Sequence, residues 1–274
     1  MTRARALRQM RTILATSTFL ASFAISAQTP IDQSWTLLKA GASEQDKNGR
    51  AAAIRSLSLI PGDPAVEKLA ITALSDPTTE VRIAAASALG PMGAKSSMPN
   101  LKKALKDKDV GVILAAASSL KRLGDPSAYL VYYAVLTGER KSGEGLVAEQ
   151  KKMLNDPKKM AMFGFEQGIG FIPFAGLGYG TFKMLTKDDV SPVRAAAAMA
   201  LASDPDPKSG DALVTASSDP SWLVRAAALD AIARREDPQL IPRIVRAMSD
   251  QKPEVKYTAA AAVYRLSRLT GSRP

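Results

Sequence analysis

The sequence predicts an all-α fold, an α-α superhelix of about six helical hairpins, and three observations predict it. Aspartates recur in one register: Asp76, Asp107, Asp188, Asp219 and Asp250 are separated by 31, 81, 31 and 31 residues. Valines keep the same intervals at Val81, Val112, Val193, Val224 and Val255, and alanine-rich runs follow each of them. A second series of Asp-Pro pairs, opening at Asp63, Asp125, Asp206 and Asp237, has intervals of 62, 81 and 31. Repetition at such a period marks an array of supersecondary units that stack on their neighbours.

One unit can be read residue by residue. Asp76-Pro77 reads as an N-cap followed by proline at the first helical position, where its missing N–H costs nothing. Val81, Ala85, Ala88 and Leu89 then fall at helical spacing, and Gly90-Pro91 stops the helix. A second helix is expected over 95–105, with Met98, Leu101 and Leu105 on one face. An earlier unit around 49–59 fits with a one-residue slip. Six units result, beginning near Asp46, Asp76, Asp107, Asp188, Asp219 and Asp250, the last lacking a complete second helix. The alanine runs predict close helix contacts, so leucine at Ala86 or Ala197 is expected to overpack an interface by roughly 1–3 kcal/mol.

The run DPTTEVRIAAASALG over residues 76–90 resembles the HEAT-like repeat, in the short form named after phycobilisome lyases. The resemblance covers about residues 44–138 and 187–270. It implies an armadillo-type α-solenoid and says little of function, because such repeats serve many unrelated tasks. Two enzyme groups share the repeat. Deoxyhypusine hydroxylases hold two irons through His-Glu pairs, and this chain has no histidine. Nothing in the sequence marks the tetrapyrrole pocket of a bilin lyase.

Residues 1–27 read as a secretory signal peptide: Arg3, Arg5, Arg8 and Arg11 precede a moderately apolar stretch at 13–25 and small residues at Ser26 and Ala27. Cleavage near Ala27 would make the protein periplasmic or secreted. It would remove four of 37 basic residues and none of 26 acidic ones, taking the net charge from +11 to +7. A mildly basic surface favours acidic partners or anionic headgroups, and an exported chain is not expected to meet nucleic acid. The remaining organisation is an N-terminal linker or cap helix at 28–43, three repeats at 44–138, an insertion at 139–186 and three repeats at 187–274.

With no histidine and no cysteine, the commonest catalytic triads and soft zinc ligands are absent. No Walker loop occurs, and no carboxylate pair stands apart from the repeat register. The chain is therefore expected to be a non-catalytic scaffold without cofactor or metal, binding a protein partner. The register arginines Arg82, Arg194 and Arg225 could form a ladder for a polyanion or pair with aspartates of neighbouring units; stacking favours the second.

The interval of 81 exceeds one repeat by 50 residues. Within that insertion, Gly164, Gly168, Gly170, Gly176, Gly178 and Gly180 alternate with Phe165, Ile169, Phe171, Ile172, Phe174, Leu177 and Tyr179, and Glu166 is the lone charge between Phe163 and Tyr179. Three readings are open: a hairpin packed on the solenoid, a partner-binding surface, or a membrane-contacting hairpin that would make the chain a membrane-associated envelope protein. Further candidate contacts lie on second helices. Lys102, Lys103, Lys106, Arg243 and Arg246 give a basic set, and Tyr129, Tyr132 and Tyr133 share a helix leading into the insertion.

Overall fold

A computed structural model describes residues 29–137 and 190–271 of the chain. Among these residues there are helices and no strands. They are α1 (Pro30–Gly41), α2 (Lys47–Ser56), α3 (Pro64–Ala73), α4 (Thr79–Leu89), α5 (Met98–Ala104), α6 (Val110–Arg122), α7 (Ser127–Thr137), α8 (Ser191–Ala200), α9 (Pro207–Ala216), α10 (Trp222–Arg235), α11 (Ile241–Ile244) and α12 (Pro253–Gly271). Short 3-10 turns extend several of them, including Leu57–Leu59 after α2 and Lys95–Ser97 before α5.

The two aspartate series do different work. The Asp-Pro series caps second helices: Asp63 accepts the Ala65 N–H at 2.9 Å and Asp206 the Lys208 N–H at 2.9 Å, with proline at the first helical position. Asp237 does the same for the 3-10 turn before α11. The register series does not cap. The expected cap at Asp76 is corrected: α4 begins at Thr79 behind Thr78. Asp76, Asp107, Asp219 and Asp250 instead close a turn by accepting the N–H two residues on, each at 2.8 Å. That leaves the carboxylate turned toward the preceding unit, where an arginine meets it.

The order of stacking is not the order of the chain. Within each half, first helices pack in sequence: α2 on α4 and α4 on α6, then α8 on α10 and α10 on α12. The halves join because α12 packs against α1 and α2. The stack therefore runs α8, α10, α12, α2, α4, α6, and the first and last described helices meet in its middle. α1 lies against both α12 and α2, so the 19-residue α12 buries its apolar face against α1 and α2 as well as α10.

Alanine makes these contacts close. Ala84–86, Ala115–117, Ala226–228 and Ala259–262 are all buried. Ala86 is fully buried, as the leucine expectation requires, whereas Ala197 on α8 is exposed and does not meet that requirement. Leucine at Ala86 is expected to cost roughly 1–3 kcal/mol, and leucine at Ala197 nothing comparable, as urea denaturation of both variants would read.

Candidate functional site

The register arginines are taken up by the stack. Arg82 donates through Nε to Asp107 at 2.8 Å and through a terminal nitrogen to the same carboxylate at 3.0 Å, while its other nitrogen binds the carbonyls of Asp76 and Pro77 at 3.1 and 3.2 Å. Arg225 repeats every contact with Asp250, Asp219 and Pro220. Arg50 does so with Asp76, Glu44 and Gln45, and Arg194 reaches Asp219. Bidentate pairs of this kind fix the rotation of one unit on the next. They leave no guanidinium row for a polyanion.

Glu44 holds the position in the first unit that Asp76 and Asp219 hold in theirs, because its carbonyl receives the arginine in the same way. Its carboxylate has no arginine from α12. The Tyr257 hydroxyl donates to it instead, at 2.7 Å. Farther along α12, Tyr264 donates to Asp63 at 2.9 Å and its ring lies 5.4 Å from Trp35. Burial first, and then the facing carboxylates Glu44 and Asp46, push the Tyr257 hydroxyl far above its ordinary value. Burial and Asp63 push Tyr264 up to about 12, against a downward pull from Arg268. A raised folded value means that stability is complete below the unfolded value near 10 and is lost as pH rises through the folded one. In an alkaline titration the chain is expected to lose stability between pH 10 and about 12, with Tyr257 and Tyr264 ionising above the ordinary value near 10; ionisation of both at that ordinary value would contradict the contacts.

A small, shallow cleft opens beside this junction, lined by Ala52, Arg55, Ser56, Ser58 and Leu59 from one chain half and Asp230, Glu254 and Thr258 from the other. Asp230 is buried, and burial pushes its carboxyl up while Arg234, its partner one turn on, pulls it down. The cleft offers two carboxylates, a guanidinium and three hydroxyls, a set suited to hydrogen-bonding a polar group. Sequence reasoning missed it. The signal was present: the register position of Asp230 is Ser87, Ser118, Met199 and Ala261 in other units, never an acid. No cluster of metal-ligating side chains occurs among the described residues.

The predicted contact residues fall into separate environments. Lys102 sits 2.7 Å from Asp125, and together with Ser127 it holds that carboxyl down to about 2. Arg243 pairs with Asp211 at 2.5 Å. Lys103, Lys106 and Arg246 are exposed. Tyr129 is exposed, and Tyr132 is half-buried with its hydroxyl value raised by burial. Tyr133 lies on α7, its side chain outside what is described, and Phe165, Ile169, Phe171, Ile172, Phe174, Leu177 and Tyr179 lie outside the described residues altogether.

The open ends of the stack carry exposed apolar side chains. Tyr129 and Leu130 on α7 are 60% and 72% exposed, and Val190 and Val193 at α8 are 60% and 71% exposed. Val193 is a register valine. Val81, Val112, Val224 and Val255 are 0–2% exposed at the same position, so its exposure reflects the absence of a preceding unit among the described residues.

A family model described as HEAT repeats matches residues 66–131 and 210–270. These two stretches are HEAT repeats. No curated protein matches the chain. Among solved structures, the complex of CpcE and CpcF of phycocyanin lyase from Nostoc sp. PCC7120 is similar at 21% identity, covering 89% of this chain and 94% of that one with a TM-score of 0.34. Human deoxyhypusine hydroxylase in complex with glycerol is similar at 15% identity, covering 86% and 88%, with a TM-score of 0.28. These likenesses correct one expectation. The expectation of a non-catalytic chain does not stand, because a lyase and a hydroxylase are among the solved structures it is similar to.

Proposed function

We propose that this HEAT-repeat chain is an exported protein-interaction scaffold whose partner engages the ends of the stack. The observation that carries this reading is the confinement of exposed large hydrophobic side chains, among the described residues, to Tyr129 and Leu130 at one end and Val190 and Val193 at the other. Exposed apolar patches rimmed by polar residues suit a partner that brings an apolar helix or edge of its own. Exposed basic residues lie close by in the sequence, Lys121 and Arg122 at the end of α6 and Arg194 next to Val193.

Photocrosslinking in native cells tests it. A photoreactive residue in place of Tyr129 or Val193 is expected to yield a discrete protein adduct, and one in place of the exposed Lys68 on α3 is expected to yield none. The same adducts at Lys68, or none at either end, would remove the reading.

Export is supported by the basic, apolar and small-residue order of residues 1–27, and cleavage after Ala27 would leave Thr29 free to cap α1 through Asp32. The mature protein from the cell envelope is expected to begin at Gln28; a chain retaining residues 1–27 in the cytosol would contradict export. The alternative membrane hairpin falls on residues outside those described. Among the described helices, none is long and apolar enough to cross a membrane.

A further inference from the structure

The junction of α12 with α1 and α2 differs from every other contact in the stack. Within each half, neighbouring units are joined across about one repeat of sequence. The junction joins residues about 200 positions apart, such as Tyr257 with Glu44 and Arg265 with the Leu59 carbonyl, 2.7 Å away. Its chemistry differs as well. Elsewhere the register arginine and aspartate meet over alanines; here two tyrosines donate to two carboxylates, one of which, Asp63, also pairs with Arg268 at 3.5 Å, and Tyr264 packs on Trp35. Tyr257 is seated on Gly41 so closely that a Cβ there would lie 2.3 Å from its ring.

We propose that residues 29–137 and 190–271 are two separately folding three-unit modules, and that they recognise each other as protein partners do. The α12 face is the recognition surface and the α1–α2 face its receptor. In a stack, each unit is stabilised by its immediate neighbours alone. The α2–α4–α6 series thus gains from the other half only through this junction and a small contact of α10 with Leu57–Leu59 beside it. Contacts closing a loop of this length form late, because the loop entropy precedes any gain from them. The junction is also selective. A surface lacking the Gly41 seat would clash with Tyr257, and one lacking Glu44 and Asp63 would leave the hydroxyls of buried Tyr257 and half-buried Tyr264 without their acceptors. The cleft between Arg55 and Asp230 takes walls from both modules, so it exists only when they are docked.

The test cuts the full chain, already folded, at a protease site placed within residues 139–186. The two pieces are expected to co-elute as one complex at micromolar concentration, and after dilution to separate while each keeps its helical circular dichroism. Gly41→Leu is expected to weaken their association at least tenfold. Should that variant fold poorly, Tyr264→Ala gives a second reading, with an expected loss of several-fold. Pieces that fall apart on cutting at micromolar concentration would overturn the proposal. So would pieces that unfold whenever they separate, or variants whose pieces associate as tightly as the wild type.

Discussion

Replacing Arg82 by alanine is expected to lower the unfolding free energy by about 3–5 kcal/mol, the cost of breaking a buried ion pair from one side. Arg82 is buried, with its side chain 7% exposed and that of Asp107 13%. Its removal strands the Asp107 carboxylate, which keeps only the Asp109 N–H, and frees the carbonyls of Asp76 and Pro77. The same contact at the open end supplies the contrast. Arg194 is 45% exposed, although Asp219 is exposed no more than Asp107, so Arg194→Ala breaks a pair that water already reaches from the arginine side and is expected to cost less, about 1 kcal/mol. Urea denaturation of both variants separates the two figures. Equal losses would mean that the ladder does not owe its strength to burial.

Gly90→Ala is expected to destabilise by about 1–3 kcal/mol, although at the right-handed helical φ of −64° that Gly90 adopts alanine would ordinarily be preferred. The added Cβ would stand 2.7 Å from the Ser119 hydroxyl and 2.8 Å from its Cα. A side chain could turn away; a backbone atom on the neighbouring α6 cannot without moving the helix. The Gly90 N–H also donates to that hydroxyl at 3.2 Å, which returns its proton to the Ala86 carbonyl, so the clash breaks a buried link between α4 and α6. Gly93→Ala is the matching control. Gly93 has φ of 69° and open space where its Cβ would go, leaving a backbone cost of roughly 1–2 kcal/mol and no steric one. A Gly90→Ala variant that keeps wild-type helix packing, read from amide exchange in α6, would contradict the close approach.

The candidate site was less legible than the repeats around it, for physical reasons. Asp76 and its register mates look like helix caps because they precede helices by a few residues. A carboxylate that far upstream bonds instead to the turn it closes and to an arginine 25 or 26 residues away. Ala197 sits in a run indistinguishable from Ala84–86, yet it faces outward, since the composition of a helix face does not say whether a neighbour is present. Asp230 was visible only as a departure from register, and its burial beside Arg55 and Glu254 depends on helices from the two chain halves. Lys102 read as a contact residue, and Asp125 claims it.

The sequence by itself determined the unit: its length, the Asp-Pro caps of its second helices, the alanines that let helices approach, and the arginine repeated in step with an aspartate. Those features are local or join adjacent units, so a periodic pattern carries them. Tertiary structure alone decided how six units are ordered. The joining of α12 to α1 and α2 rests on Tyr257, Glu44, Gly41 and Asp63, which break the repeat and lie about 200 residues apart. No periodicity links such residues; they are brought together because a helix at each chain end has an apolar face that only the other can cover.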